Sequence, residues 1–403
     1  MPSFAGRIAR TEIAATFAMA AKARALREAG IDVISLSIGE PDLPTPPHVI
    51  EAAYQAALQG QTKYPPVEGT RDLKEAVQAK FARDQKLHFE PDQILITNGG
   101  KQAIFNMLMA VLDEGDEVII PAPAWAGYVQ TVQFVGGRAV FVPCSMESGF
   151  RLTQASLAAA ITPRTRMLIL NYPNNPSGAA CSAADLKDLA EILRQHPAIW
   201  ILCDDIYEHL LYDGFGYATL AAVAPDLAER TLTLSGVSKS YAMTGWRIGF
   251  CGGPAALIKA MAKVQGSATA GVCSIAQAAA TAALNGPQDL LATRAGIYRE
   301  RRDIVVELLN QAPGLVCPKP EGAFYAFPSI EGCLNTKTPD GTAIKSDADF
   351  TTALLAQAHV GVVAGSAFAM SPHIRLSTAT DTKTLQTACT RIIRFCESLT
   401  PIG

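Results

Sequence analysis

The chain has 403 residues, 49% of them hydrophobic, and a formal net charge of −3 at pH 7. This length predicts two or three domains with a sizeable core. The near-neutral charge excludes a general electrostatic attraction to nucleic acids or anionic lipids, so we expect no nucleic-acid or membrane partner.

Cysteine and histidine usage restricts the class of protein further. Nine cysteines without a C-x-x-C pair are more typical of a reducing compartment than of a disulfide framework. The six histidines are scattered, so we expect no histidine-rich metal site. The N-terminal segment lacks the apolar core of a signal peptide, and no run approaches the roughly 20 apolar residues that span a bilayer. We therefore expect a cytoplasmic protein.

Short apolar runs alternate with helical patterns over most of the chain. The strand candidates, in chain order, are "QILITNGG", "DEVIIPAP", "GRAVFVPC", "TRMLILNYP", "AIWILCDD", "RTLTLSG" and "WRIGFCGG". Helical stretches such as "KQAIFNMLMAVLDEG" and "SAADLKDLAEILRQH" lie between them. This alternation predicts a three-layer α/β/α large domain with a mostly parallel sheet, over residues 48–290.

The pattern changes after residue 290. A long charged helix leads to "GAFYAFPSI", a turn-rich insertion, another helix and the strand-like "HIRLSTAT". We predict a smaller α+β domain over residues 291–403, completed by residues 1–47. The Pro- and Gly-rich "GEPDLPTPP" is the expected crossing between the two domains.

The first strand candidate ends in "TNGGKQAIFN", with two glycines at a strand-to-helix junction. Backbone N–H groups at a helix N-terminus near Gly100 would form an anion cradle. A plain tight turn is the alternative at this point. The G-x-G-x-x-G spacing of a dinucleotide site and the phosphate-loop motif of nucleotidases are both missing.

Polar and aromatic residues follow several later strands, where open α/β sheets place ligands. Trp125 would stack on a flat ring or fill a core, and Asn175 in "NYPNNPSG" is either a rigidly held amide or part of a turn. Asp204 and Asp205 end an apolar strand, where a carboxylate is costly without a partner. One of the two is expected to cap a helix, and Tyr207 is expected to face the same cavity.

Two basic residues complete the set. Lys239 follows the strand candidate "RTLTLSG" among small neighbours that leave room for a ligand, although a solvated surface lysine is the common alternative. Arg375 lies between apolar neighbours in "HIRLSTAT". An inward arginine pairs with a carboxylate for about 1.5 to 3 kcal/mol per charged hydrogen bond, whereas an edge-strand arginine would face water.

In this order, the motifs resemble those of the pyridoxal-phosphate-dependent aminotransferases of fold type I, class I, and in particular the bacterial aspartate aminotransferase subgroup. The resemblance runs from "SIGEPDLPTPPHV" to "HIRLSTAT", and "SKSYAMTGWRIG" is its most specific motif. "PNNPSG", "DDIYEHL" and "EGAFYAF" also match. The resemblance implies a ping-pong exchange of an amino group between an L-amino acid, preferably aspartate or glutamate, and a 2-oxoacid.

The resemblance also implies roles at the cofactor ring. Lys239 would carry pyridoxal 5′-phosphate as a Schiff base and then move the substrate proton. Asp204 would hold the pyridine nitrogen protonated. Tyr207 and Asn175 would bind the phenolic oxygen, and Trp125 would stack on the ring.

A second group of residues would hold the cofactor's phosphate. It consists of Gly100, the backbone of Lys101, Ser238 and Arg247. Tyr64 in "TKYPPVEG" would reach the phosphate of the neighbouring subunit, which implies a homodimer with shared active sites.

On the substrate side, Arg375 and the backbone of Gly39 would bind the α-carboxylate, and Trp125 and Asn175 would also contact the substrate. Lys101 would meet the distal carboxylate of an acidic substrate. Its alternative is a lysine at a helix N-terminus that faces water.

The chain departs from the family pattern at three points. Gly236 replaces a serine that some relatives carry, so that Ser235 or Ser238 would have to supply the hydroxyl. Ala124 and Gly127 replace larger or polar residues and predict extra space near the stacking tryptophan. Glu12 takes the place of a lysine found in relatives that use prephenate, which disfavours that substrate.

Several functions stay open at this stage. Aromatic, alanine-type or prephenate-like transamination and a pyridoxal-phosphate-dependent lyase reaction use the same lysine and electron sink. A non-catalytic cofactor-binding module is disfavoured because the catalytic set is complete. A dinucleotide oxidoreductase is disfavoured because its phosphate fingerprint is missing.

Overall fold

The computed structural model describes residues 4–10 and 15–402, except for the side chains of residues 15–17. Glu12, which was expected to disfavour prephenate, lies outside the described residues. The described strands are β1 (Ile34–Ser35), β2 (Ile94–Thr97), β3 (Glu117–Ala122), β4 (Arg138–Pro143), β5 (Thr165–Leu170), β6 (Trp200–Asp204), β7 (Thr231–Gly236), β8 (Gly249–Gly252), β9 (Tyr325–Ala326), β10 (Thr336–Lys337), β11 (Ala343–Ile344), β12 (Val360–Gly361), β13 (Val363–Ala364), β14 (Ile374–Ser377) and β15 (Thr400–Pro401).

Helices connect and cover these strands. In chain order they are α1 (Gly6–Ala9), α2 (Ala15–Glu28), α3 (Pro47–Leu58), α4 (Arg71–Lys80), α5 (Gly100–Val111), α6 (Ala126–Val135), α7 (Gln154–Ala160), α8 (Ala183–Arg194), α9 (Leu220–Val223), α10 (Ala255–Ala268), α11 (Ser274–Asn285), α12 (Asp289–Leu309), α13 (Asp347–Ala358) and α14 (Thr382–Ser398). Within the described part of the chain, no helix is both long and apolar enough to cross a membrane.

The central sheet has seven strands in the order β2-β8-β7-β6-β5-β3-β4. All neighbouring pairs are parallel except those that β8 forms with β2 and β7. Every residue of β2, β3, β7 and β8 is buried, because helices cover both faces of the sheet. The seven strand candidates and the predicted three-layer α/β/α class are confirmed.

Helix α8 illustrates how the local sequence sets these covering helices. The Ser182 hydroxyl accepts the Asp185 N–H, and the Asp185 carboxylate accepts the Ser182 N–H, which forms a capping box. Apolar residues then follow at helical spacing, and Leu186, Leu189 and Leu193 are buried against the sheet. Burial of one leucine side chain contributes about 1.5 to 3 kcal/mol.

A second group of short strands combines both ends of the chain. β1, near the N-terminus, pairs in parallel with β12, and β13, β14 and β9 form an antiparallel sheet. β10 pairs with both β11 and β15. The N-terminal segment thus joins the C-terminal part of the chain, while the division into 48–290 and 1–47 with 291–403 stays a prediction.

Candidate active site

A cavity of about 350 Å³ opens at the carboxyl edge of the central sheet, where β5, β6 and β7 end. Eleven of the twelve candidate site residues line it, although they come from distant parts of the chain. They are Gly39, Gly100, Lys101, Trp125, Asn175, Asp204, Tyr207, Ser238, Lys239, Arg247 and Arg375. The twelfth, Tyr64, is not among the lining residues and is 96% exposed.

Lys239 lies three residues beyond the end of β7, partly buried in the cavity wall. Its ammonium group donates a hydrogen bond to the carbonyl oxygen of Gly39 at 2.7 Å. Burial lowers the pKa of Lys239 to about 8, and the positive charge of Arg375 acts in the same direction. An amine with this pKa has a substantial neutral fraction near pH 8, which makes it a nucleophile and a base.

Asp204 is the last residue of β6, and its carboxylate faces the same cavity. Oδ2 accepts a hydrogen bond from the Tyr128 hydroxyl at 2.6 Å, and Oδ1 accepts the Ile206 N–H at 3.3 Å. Burial raises the pKa of Asp204 to about 6, against the lowering effect of the Tyr128 hydrogen bond. Neither contact supplies a positive charge, so this carboxylate is suited to a cationic ligand atom.

Asp205 has a different environment. No helix begins after it, since residues 206–209 form a turn, and the prediction that one of the two aspartates caps a helix is wrong. The Asp205 carboxylate instead accepts a hydrogen bond from the Tyr217 hydroxyl at 2.7 Å. Burial raises the pKa of Asp205 to about 7.

Arg375, in β14, is buried, so the alternative of an edge-strand arginine that faces water is excluded. Its guanidinium donates to Asn175 Oδ1 at 2.8 Å and to the Ser37 carbonyl at 2.5 Å. It also lies 4.8 Å from the ring centres of both Tyr325 and Phe368. Nε of Arg375 has no hydrogen-bond partner among the described residues.

The hydroxyl of Tyr207 also faces the cavity. It shares a hydrogen bond of 2.8 Å with the hydroxyl of Tyr325. Burial raises the pKa of both phenols, so both are protonated at neutral pH. The pair can therefore present one O–H donor to an oxygen atom in the cavity.

An anion cradle lies at the N-terminus of α5. Gly99 precedes the helix with a φ of 77°, a conformation that favours glycine. A Cβ at this residue would lie 2.3 Å from Nη2 of Arg247, so the close approach of the guanidinium also requires glycine. Arg247 donates to the carbonyls of Asn98 and Thr244. The N-terminus of α5 and the guanidinium of Arg247 together favour the binding of a phosphate-sized anion.

The two serines that could replace the hydroxyl missing at Gly236 differ in position. The Ser235 hydroxyl donates to the buried carboxylate of Glu208, and Ser235 does not line the cavity. Ser238 does line it. The hydroxyl beside the cradle therefore comes from Ser238.

The extra space predicted around Trp125 is not empty. Ala124 is buried, and its N–H donates to the carbonyl of Phe368. The space that Gly127 leaves is filled by the Trp125 ring itself. Lys101, for which two roles were open, is exposed at the cavity wall with its ammonium group 5.5 Å from the centre of the same ring.

Among the lining residues that the sequence analysis did not name, three have polar side chains that contact its candidates. Tyr128 holds the Asp204 carboxylate, Tyr325 holds the Tyr207 hydroxyl, and Asn171 donates to the Asp204 carbonyl at 2.8 Å. The sequence around each of these residues contains a weak indication that it belongs to the site. Tyr128 follows the candidate tryptophan by three positions, Tyr325 belongs to the motif "EGAFYAF", and Asn171 comes directly after β5.

Comparisons with known proteins give a consistent result. The family described as "Aminotransferase class I and II" matches residues 31–392. The chain is 51% identical to "Aspartate aminotransferase" of Rhizobium meliloti over 98% of its own length and 96% of that protein. It is 49% identical to "Aspartate/prephenate aminotransferase" of Cereibacter sphaeroides, covering 97% of this chain and 98% of the other. The crystal structure of the Rhizobium meliloti enzyme superposes with a TM-score of 0.97 at 50% identity, covering 99% and 100% of the two chains.

Proposed function

The chain belongs to the class I and II aminotransferases, as its motifs predicted, and from this membership we propose that it exchanges the amino group of L-aspartate or L-glutamate with a 2-oxoacid. It is an aminotransferase, and dependence on pyridoxal phosphate is a general property of this family. The observation that carries the proposal is the meeting of Lys239, Asp204 and Arg375 around one cavity.

The residues present fit pyridoxal phosphate. The cradle at Gly100, with Ser238 and Arg247, suits its phosphate. The Asp204 carboxylate, which has no cationic hydrogen-bond partner among the described residues, suits a protonated pyridine nitrogen. When bound, the cofactor supplies an electron sink for the carbanion that forms when substrate Cα loses its proton.

The chain's own residues then have these roles. Lys239 Nζ would hold the cofactor, and as a free amine of lowered pKa it would carry the proton removed from substrate Cα. The hydroxyl of Tyr207, oriented by Tyr325, and the amide of Asn175 bind the cofactor's phenolic oxygen. Trp125 forms one wall of the cavity beside the ring.

Two cationic side chains, Arg375 and Lys101, would bind the two carboxylates of an acidic substrate. Arg375, with the backbone of Gly39 nearby, binds the α-carboxylate, because a guanidinium matches a carboxylate bidentately and its Nε has no partner among the described residues. Lys101, at the exposed side of the cavity, binds the distal carboxylate of an acidic substrate. The names of the two relatives above support aspartate as that substrate.

We also infer a homodimer in which each subunit completes the other's site. Tyr64 is 96% exposed and is available to a neighbouring subunit's phosphate cradle. On α3, Ile50, Tyr54 and Leu58 are exposed at a spacing of four residues, so they form an apolar stripe on one helix face. A second copy of the chain would cover this stripe.

The first experiment is an absorbance titration of the purified holoenzyme with L-aspartate in the absence of any 2-oxoacid. We expect aspartate to remove the visible band of the lysine-bound cofactor and 2-oxoglutarate to restore it. A band that aspartate leaves unchanged would refute the acidic substrate and direct the search to aromatic or alanine-type donors. Release of ammonia without a 2-oxoacid would instead identify a lyase. Adding prephenate in place of 2-oxoglutarate, in the same cuvette, tests prephenate as the amino acceptor.

Lys101 and Tyr64 need separate tests. Lys101→Ala is expected to lower kcat/KM for aspartate selectively relative to alanine, and equal losses for both would refute a distal-carboxylate role. For the dimer, mixed dimers of the Tyr64→Ala and Lys239→Ala variants are expected to regain activity, because one of the two shared sites is then intact. Sedimentation as a monomer would refute sharing.

A further inference from the structure

Gly127 is the second residue of α6 and lies two positions after Trp125, which precedes the helix. An added Cβ at Gly127 would lie 2.4 Å from Cη2 and Cζ2 of the Trp125 ring and 2.6 Å from Cζ3. Real Cβ atoms essentially never approach other atoms so closely. Gly127 is not among the residues with positive φ, so the helix backbone itself would accept any residue there. Only the position of the indole ring requires glycine.

The remaining neighbours of the ring define where it could move. Tyr128 packs edge-on against it with ring centres 5.3 Å apart, and this phenol is buried and held by Asp204. Lys101 lies over the ring at the exposed side. Trp125 itself lines the cavity. A side chain at residue 127 would therefore push the indole away from α6 and into the cavity.

We propose that Gly127 is a specificity-determining residue, which keeps the Trp125 indole against α6 and so leaves the cavity wide enough for substrates with an aromatic side chain as well as acidic ones. This rests on the proposed function, since it places amino-acid side chains in this cavity. With any larger residue at 127, the ring takes up part of the volume that an aromatic side chain needs. An acidic side chain, which is smaller, is affected less.

Inhibitor binding to the holoenzyme tests this directly. Succinate serves as the acidic probe and 3-phenylpropanoate as the aromatic one, and their inhibition constants are compared in wild type, Gly127→Ala and Gly216→Ala. Gly216 is the matched control because a Cβ there would meet nothing within 4 Å. We expect Gly127→Ala to weaken the binding of 3-phenylpropanoate relative to that of succinate by about tenfold or more. Gly216→Ala should leave the ratio of the two inhibition constants unchanged. An unchanged ratio in Gly127→Ala, or a wild type that does not bind 3-phenylpropanoate, would overturn the proposal.

A second readout reports the ring position without any reaction. Acrylamide quenching of tryptophan fluorescence is measured in the cofactor-free protein, and Trp125→Phe identifies the contribution of Trp125. Gly127→Ala should increase quenching of Trp125, and unchanged quenching would overturn the proposal. If Gly127→Ala does not fold, Gly127→Ala combined with Trp125→Phe relieves the clash. This double variant should bind 3-phenylpropanoate as tightly as Trp125→Phe alone, and weaker binding would count against the proposal. Should aspartate fail to react with wild type, the proposed function fails, while quenching still decides the ring position.

Discussion

Two buried lysines lie close to this site and have opposite environments. Lys80, at the end of α4, has both oxygens of Glu208 at 2.5 Å from its ammonium group. Gln85 also donates to that carboxylate, at 2.6 Å, and Ser235 donates to it as well. Lys239 has a backbone carbonyl as its hydrogen-bond acceptor and the cation Arg375 as a neighbour.

The difference shows how one residue type serves structure in one place and chemistry in the other. Burial pushes the pKa of Glu208 up, but the Lys80 ammonium and its other partners outweigh this, so the pKa lies below its usual value. The Glu208 carboxylate therefore stays ionised at neutral pH. No carboxylate among the described residues is hydrogen-bonded to Lys239. Glu40 and Asp204 favour its ammonium form from further away, but burial and the charge of Arg375 outweigh them and lower its pKa.

The pair also supports the site mechanically. Glu208 directly follows Tyr207, and Ser235 belongs to β7, which leads to Lys239. The Glu208 carboxylate therefore connects the turn that carries Tyr207 to β7 through Ser235 and to α4 through Lys80.

The largest expected effect is on turnover, which should depend on Lys239 far more than on Lys80. Lys239→Ala should lower turnover by more than about 10⁴-fold, because it removes both the cofactor attachment and the base. Lys80→Met combined with Glu208→Leu removes the other buried ammonium without touching the cavity and should retain measurable turnover. Steady-state assays with aspartate and 2-oxoglutarate measure both, and multiple turnovers by Lys239→Ala would contradict its role.

The second expected effect is on the free energy of unfolding, which should depend on Lys80 but not on Lys239. Lys80→Met should lower the free energy of unfolding by about 3 to 5 kcal/mol, because it leaves the Glu208 charge buried and unpaired. Lys80→Met combined with Glu208→Leu should recover most of this loss. Urea unfolding of the cofactor-free protein measures it. Lys239→Met is the matched control and should not destabilise, since no carboxylate loses its partner; a loss as large as that of Lys80→Met would remove the distinction.

Asp205 extends the comparison to a buried carboxylate without a cationic hydrogen-bond partner among the described residues. Its pKa rises from 3.8 to about 7 on folding, so the folded state binds the extra proton between these values. The free energy of unfolding therefore falls as pH rises from about 4 to about 7, and the full loss is present above pH 7. Asp205→Asn should stabilise the protein by about 2 kcal/mol at pH 8 and hardly at all near pH 4. Urea unfolding across this range checks it, and a difference independent of pH would refute it.

Tyr128 gives the smallest effect. Tyr128→Phe removes the hydrogen bond to Asp204, and the dissociation constant for pyridoxal phosphate should rise about tenfold. Since this hydrogen bond lowers the pKa of Asp204, the variant should also lose affinity more steeply as pH falls toward 6. Tyr172→Phe is the matched control, because the Tyr172 hydroxyl is buried and hydrogen-bonded outside the cavity. A pH profile equal to that of wild type would make Tyr128 purely structural.

Local patterns in the chain were enough to predict the fold class and most residues around the cavity. The seven strands of the central sheet are short apolar runs ended by turn-forming residues, and both signals are local in the chain. Lys239, Asp204 and Asn175 could be found because parallel strands bring their carboxyl ends to one edge, so a residue directly after a strand has a predictable place.

Which of these groups are paired depends on contacts between distant parts of the chain. Lys80 and Glu208 are 128 positions apart, and nothing in "AVQAKFARD" marks Lys80 as buried. The hydrogen bond from the Tyr128 hydroxyl to Asp204 is likewise set by side-chain packing between distant elements. Desolvation and pairing depend on what surrounds a group in space, and a linear pattern does not contain that information.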